Sequence, residues 1–289
     1  MTAWPDNFGA LEEKYTNYQN SKIVILSAPY DGTRTWFAGK NWQKPDTSKG
    51  PKAIITASRN MELYDIETNS EVYKKGIHTL QELKVKKDPK ETIDLIEKES
   101  KKHTNRFIVM LGGEHSITTG LVKAYKEKYP DLSVLQFDAH ADLRDKWEEG
   151  GKYSHASVMA RVKEICPIVQ IGIRSAAKKP ETENIFYAKD IYNNDGWMDK
   201  AISKLSNNVF ITIDLDGFDP SIMPSTGTPE PGGLHWYPTL KFFKKLFKEK
   251  NIIGFDVVEL APNPDNVAPD FLAAKLIYKL LGYKFGGGE

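Results

Sequence analysis

Cysteine is nearly missing from this chain of 289 residues, where Cys166 stands alone. No intrachain disulfide can form, and no thiolate cage can hold a metal. Neither sign of charge is in excess: Lys plus Arg is 40 against 39 for Asp plus Glu, a net +1. A general polyanion binder carries a basic surplus, so nucleic acid is not an expected partner. No apolar run approaches the roughly 20 residues that cross a bilayer, so no membrane partner is expected either. The opening residues Met1-Thr2-Ala3-Trp4-Pro5-Asp6-Asn7 lack a basic stretch followed by an apolar one. No secretion signal is expected there, and a cytoplasmic location follows as the default. Repeats and Gly/Ser- or Pro-rich linkers are absent too. One domain over 1–289 is therefore expected, with an N-terminal extension over about 1–20 and a flexible tail at 285–289.

Short apolar runs alternate with helical patterns along the chain. Strands are expected at 22–29, 106–111, 132–137, 167–173, 209–213 and 252–258. Helices are expected at 51–63, 88–103, 115–129, 155–165, 196–205, 236–250 and 269–281. Strands of mostly β-branched or apolar residues between such helices imply an α/β class, with a parallel sheet covered on both faces. In such a sheet ligands bind beyond the carboxyl ends of the strands. Every chemically loaded segment of this chain directly follows an apolar strand run.

The central segment is Phe137-Asp138-Ala139-His140-Ala141-Asp142. Side chains alternate along a strand, so Asp138, His140 and Asp142 can share one face. Two carboxylates and an imidazole converging there would repel and desolvate badly without a cation among them. Alone, the string equally suits a strand end with solvated acids. A second segment, Ile213-Asp214-Leu215-Asp216-Gly217-Phe218-Asp219-Pro220, offers Asp214 and Asp216 by the same period. Alone it also suits a turn-capping pair, and Asp219 before Pro220 reads as turn chemistry. A third, Gly112-Gly113-Glu114-His115-Ser116, places His115 at the start of a helix after a glycine turn, where a structural role is the commoner one.

Together these segments supply four carboxylates and two imidazoles at three strand ends. Six ligands exceed what one catalytic ion needs but suit two, and four carboxylates formally cancel two divalent charges. Oxygen ligands mixed with imidazole suit Mn, and less exclusively Zn, Fe or Ni. Two such ions about 3.5–4 Å apart can activate a bridging water at neutral pH.

The three segments resemble the ligand motifs of the ureohydrolase family of arginases and agmatinases. Two further stretches carry the same resemblance: Ser225-Thr226-Gly227-Thr228-Pro229-Glu230-Pro231-Gly232-Gly233-Leu234 and Gly254-Phe255-Asp256-Val257-Val258-Glu259-Leu260-Ala261-Pro262. The likeness runs from about Ala28 to the last helix. It implies a three-layer αβα domain with a central, mostly parallel eight-stranded sheet. It also implies two Mn2+ ions, with Asp138 and Asp214 bridging them. His115 and Asp142 would complete one shell, and His140 and Asp216 the other. Glu259 would hold a cationic guanidinium, and His155 in Tyr153-Ser154-His155-Ala156-Ser157 would shuttle a proton. The family usually has Gly after this His, where Ala156 stands here. The implied reaction is attack of metal-bridging hydroxide on a guanidino carbon, releasing urea and an amine, with Asp142 steadying the nucleophile. The implied assembly is a homo-trimer or hexamer.

The substrate is the least determined part. The stretch Leu143-Arg144-Asp145-Lys146-Trp147-Glu148-Glu149-Gly150-Gly151-Lys152-Tyr153 lacks the Asn-containing pattern of arginases and looks closer to agmatinases. Agmatine, giving putrescine, is the first expectation. N1-aminopropylagmatine, guanidinobutyrate and arginine are the alternatives. Trp147 and Tyr153 suit an apolar channel or a packed loop. A di-metal phosphoesterase would want phosphate clamps where Glu259 offers an acid. A catalytically inactive metal-binding relative would show a broken ligand set, and all six positions are intact. Cys166, His78, His103 and His235 read as scaffold, and the Lys-rich 84–90 as a solvated face or loop.

Overall fold

A computed structural model describes residues 5–34, 45–147, 151–180, 183–192, 194 and 196–286. Glu148, Glu149 and Gly150 of the substrate loop, the first four residues and the last three lie outside the described residues. Eight strands form one sheet: β1 Ile23–Ala28, β2 Ile77–Thr79, β3 Phe107–Gly112, β4 Ser133–Phe137, β5 Ile168–Ile173, β6 Ile185–Tyr187, β7 Asn208–Asp214 and β8 Asn251–Val258. All pairings are parallel, in the order β2-β1-β3-β8-β7-β4-β5-β6. The helices are α1 Glu13–Thr16, α2 Gly50–Ser58, α3 Pro89–Lys101, α4 Thr118–Lys128, α5 Val158–Lys163, α6 Ala188–Ile191, α7 Trp197–Ser203, α8 Trp236–Glu249 and α9 Ala268–Phe285. No helix among the described residues is long and apolar enough to cross a membrane.

Period-two geometry explains why the inner strands are mostly apolar on both faces. In β1, Ile23 and Ile25 enter one core while Val24 and Leu26 enter the other. In β3, Phe107, Val109 and Leu111 face the first core, and Ile108 and Met110 the second. Each strand buries both faces, so both are mainly apolar. Helices α2, α7, α8 and α9 close the first core, through side chains such as Ile54, Ile202, Phe243 and Leu280. Helices α3, α4 and α5 close the second through Ile96, Leu121 and Val162. The start of α3 is legible locally: Asp88 accepts from the Glu91 N–H at 2.9 Å, and Pro89 follows at the first helical position.

Two sequence expectations shift. Strands β2 and β6 are edge strands of three residues, too short to show a period. The expected helices at 115–129 and 155–165 each open with a 3-10 turn, His115–Ile117 and His155–Ser157. Residues 5–20 of the N-terminal extension pack against the domain. Phe8 is fully buried, its N–H donates to Thr79 Oγ1 at 3.0 Å, and the Gly9 N–H donates to Ser58 Oγ at 2.9 Å.

Sheet order and register position the polar segments. Strand β3 leads to β4 across two intervening strands, so chain connections diverge to either side of the β8–β7 pair. The four central strands also end level. Leu111 pairs with Val257, Val257 with Ile213, and Ile213 with Phe137. Every segment leaving this row emerges at the same height above the sheet.

Candidate metal centre

Asp138 leaves that row directly after Phe137, and Asp214 directly after Ile213. Glu259 follows one residue beyond the end of β8, and His115 three beyond the end of β3. The turn to His115 requires glycine. A Cβ on Gly113 would lie 2.0 Å from the Tyr30 carbonyl oxygen, and the Gly113 N–H instead donates to the Ala28 carbonyl at 3.0 Å. The Gly113 carbonyl then accepts from the Glu259 N–H at 2.8 Å, joining the His115 and Glu259 segments.

All six expected ligands converge. His115 Nδ1 lies 3.2 Å from Asp138 Oδ2, 3.2 Å from Asp142 Oδ2 and 3.4 Å from Asp214 Oδ2. His140 Nδ1 lies 2.9 Å from Asp216 Oδ2 and 3.8 Å from Asp138 Oδ1. Two overlapping ligand groups result, His115–Asp138–Asp214 and Asp138–His140–Asp216, and Asp138 belongs to both. One carboxylate oxygen of Asp138 faces each imidazole.

The period-two expectation does not produce this convergence. Strand β4 ends at Phe137, so His140 and Asp142 lie beyond it, and Asp142 adopts a left-handed φ of 49°. Asp216 sits on the 3-10 turn Leu215–Gly217, with its N–H donating to Asp214 Oδ1 at 2.9 Å. Glu259 is also left-handed, at φ 65°. Two carboxylates held in a conformation rare for non-glycine residues, both at this site, mark a backbone constrained by its surroundings.

The electrostatics are those of a cation site. Asp138, Asp214 and Asp216 are nearly or wholly buried. Burial, with Asp216 and Asp142 nearby, pushes Asp138 up to about 7, and burial with Asp216 and Asp138 raises Asp214 well above the carboxylate range. Burial opposes charge on His140 too, yet Asp216 and its neighbours raise that ring to about 11. Buried His115 is likewise held well above the ordinary imidazole value by its three acids. A centre this avid for protons is short of positive charge.

The donor set accepts a metal. His115 Nε2 pairs with Thr212 Oγ1 at 2.8 Å, so Nδ1 is the nitrogen turned towards the acids. Nδ1 is buried and none of the three acids meets it in hydrogen-bonding geometry. Ionised carboxylates only accept hydrogen bonds, so four of them cannot satisfy one another. Oxygen and imidazole donors without thiolate suit hard or borderline divalent ions.

Several contributors lack a motif. Gln136 Nε2 donates to Asp138 Oδ2 and to the His140 carbonyl, and Gln170 on the neighbouring strand donates to Gln136 Oε1 and the Ala141 carbonyl. Their signal was a polar residue inside an apolar strand, as with Thr212 and Asp256. Arg174 donates to the carbonyls of Asp216 and Glu230, both at 2.7 Å, and so clamps the ligand-bearing loop. Arg34 Nη2 donates to Thr47 Oγ1 at 2.6 Å and lies 3.3 Å from Asp31 Oδ2 and 3.5 Å from Glu259 Oε2. Nothing in the sequence distinguishes Arg34 from a surface arginine.

Glu259 Oε1 accepts from the His115 N–H at 2.8 Å. His155 is half-buried, with Nδ1 3.0 Å from Thr33 Oγ1 and its ring edge-on to Trp147. Both residues line a cavity of about 970 Å³ with Arg34, His140, Asp142, Asp214 and Asp216. Trp147 lines it as well, with the Arg144 guanidinium 4.5 Å above its ring. Asp219 stays outside as turn chemistry, accepting from the N–H groups of Ser221, Gly232 and Gly233. His78, His103 and His235 lie elsewhere, and Cys166 is buried.

Known proteins resemble this chain along nearly its whole length. An N(1)-aminopropylagmatine ureohydrolase from Synechocystis sp. is 38% identical, over 98% of this chain and 95% of its own. An agmatinase from Pyrococcus horikoshii is 30% identical, over 94% and 95%. The crystal structure of an agmatine ureohydrolase from Thermoplasma volcanium superposes with a TM-score of 0.84 at 29% identity, covering 98% of this chain and 95% of that one. The arginase family model matches residues 21–282, a span that takes in all eight strands, the six clustered candidate ligands, His155 and Glu259. The chain therefore belongs to the arginase family, a class of binuclear metal enzymes.

Proposed function

We propose that this ureohydrolase is a di-manganese enzyme that cleaves agmatine to urea and putrescine. One observation carries the proposal: an acid suited to a guanidinium, Glu259, is fixed to the backbone of a ligand to the metal centre. His115 presents Nδ1 to the acids and its N–H to Glu259, so ligand and anchor move together. His115, Asp138, His140, Asp142, Asp214 and Asp216 would hold the two ions. Two divalent ions, when bound, lower the pKa of a water towards about 7. Glu259 presents a carboxylate to a planar cation at the cavity floor. Asp142 steadies the nucleophile from within the ligand set. His155 carries a proton to the departing amine. Trp147 offers an apolar wall to a methylene chain.

N1-aminopropylagmatine is the second reading. The 38% identical relative named for that substrate favours it. One cytoplasmic domain, assembled as a trimer or hexamer, completes the proposal. Urea release from agmatine, aminopropylagmatine, arginine and guanidinobutyrate, with added manganese, tests it. The highest kcat/KM is expected for agmatine. Preference for arginine or guanidinobutyrate would reject the amine-tailed substrate class, and no urea from any of the four would reject the activity.

A further inference from the structure

Three residues that meet beside the cavity come from distant parts of the chain. Thr33 follows β1, Glu114 follows β3, and His155 opens the turn before α5. Thr33 Oγ1 stands 2.6 Å from Glu114 Oε1 and 3.0 Å from His155 Nδ1, and it accepts from the His155 N–H at 3.1 Å. Glu114 is fully buried, and among the described residues it has no Lys or Arg ion pair. Its carboxylate receives two further donors, Ser116 Oγ at 2.7 Å and the Thr33 N–H at 2.8 Å.

A hydroxyl has one hydrogen to give. The shorter contact takes the Thr33 hydrogen, because the Glu114 carboxyl is surrounded by donors, with Ser116 Oγ on the same oxygen and the Thr33 N–H on the other. Thr33 Oγ1 then offers only lone pairs to His155, so the contact at Nδ1 requires the hydrogen to be on the ring. We propose that Thr33 and Glu114 are positioning residues that hold His155 as its Nδ1–H tautomer, leaving Nε2 as the proton-accepting atom open to the cavity. Nδ1–H stays in place while Nε2 takes up a proton and later releases it to the leaving amine nitrogen. The imidazolium formed between these steps faces a buried carboxylate through one hydroxyl, which favours it. This rests on the proposed role of His155 as proton carrier.

The opposite polarity has a definite signature. If Glu114 carried a proton and donated it to Thr33, the threonine would donate to Nδ1 and the ring hydrogen would sit on Nε2. The protein loaded with Zn2+, a diamagnetic ion, and labelled with 15N-histidine separates the two by nitrogen shifts, with His155→Asn assigning the signal among the six histidines. An Nδ1–H tautomer is expected above the ring's pKa, and an Nε2–H tautomer overturns the proposal. Thr33→Val keeps the side-chain shape and removes the hydroxyl. Its kcat should fall about ten- to a hundredfold, the usual cost of a lost orienting partner. KM and manganese content should stay near wild type, and Thr33→Ser should restore most of the loss. A Thr33→Val enzyme with full metal and unchanged kcat also overturns it. Should that variant fail to fold or bind metal, the wild-type tautomer alone decides. The tautomer is readable even if no guanidine is hydrolysed, so this proposal and the proposed activity fail separately.

Discussion

Two clusters of acid in this molecule are handled in opposite ways. Against α9, Asp65 and Glu67 meet Lys279, whose Nζ lies 2.9 Å from Asp65 Oδ1 and 3.0 Å from Glu67 Oε2. The N–H groups of Glu67 and Thr68 also donate to Asp65 Oδ1, and the Tyr283 hydroxyl donates to Glu67 Oε1 at 2.9 Å. Burial works to raise Asp65, but Lys279 and these donors hold it below the ordinary carboxylate range. At the strand ends, Asp138, Asp142, Asp214 and Asp216 have no lysine or arginine ion pair among the described residues. Arg34 goes to Asp31 and Glu259, and Arg174 to backbone carbonyls. One cluster carries its own cation and serves stability. The other leaves its charge open, and only an ion from outside closes it.

The contrast can be broken at either end. Asp138→Ala or Asp214→Ala should have the largest effect, with manganese retention and urea release lost together, as read by metal analysis and turnover on one preparation. A variant that lost turnover but kept two ions would uncouple the acids from metal binding. Glu259→Gln should lower kcat/KM by about 10²–10³, comparable to removing one charged group aimed at a reacting centre. Its metal content should stay near normal, and full activity would show that the substrate is not held there.

Lys279→Met should leave turnover unchanged and cost about 3–5 kcal/mol, because it strands a buried carboxylate without its partner. The sign with pH follows from Asp65. Its folded pKa lies below the unfolded value near 4, so the network's stability is complete above about pH 5 and is lost as pH falls through the depressed folded value. Urea melts of both proteins should therefore differ most near neutrality and converge in acid. A gap that widened on acidification would contradict the pairing. Arg34→Met should have the smallest effect, about tenfold in kcat/KM from a displaced Glu259. Manganese content should not change, and a loss of metal would place Arg34 in the centre rather than beside it.

How much of this was legible depended on range. The six inner strands were readable because burial on both faces forces a largely apolar run, as in Ile108-Val109-Met110-Leu111. Edge strands β2 and β6 escaped because three residues carry no period. The six candidate ligands were readable because three acid- and imidazole-bearing segments, each with a structural alternative alone, all follow apolar strand runs. Their geometry was not. Asp216 reaches the centre from a 3-10 turn and Asp142 from a left-handed backbone, whereas a period of two puts both on strands. Arg174, Thr33 and Arg34 escaped because each acts through partners far away in sequence, and Gln136 because its residue type is common anywhere.

Sequence alone determined the class of this protein and the inventory of its chemistry. Apolar periodicity fixes which segments are buried, and the donor atoms fix what kind of ion they can hold. Only the tertiary structure decided the assembly. The level row Leu111–Val257–Ile213–Phe137 brings four chain segments to one height, and β8 and β7 lie between the consecutive strands β3 and β4. Register and strand order depend on packing among residues distant in the chain, and no local pattern encodes them.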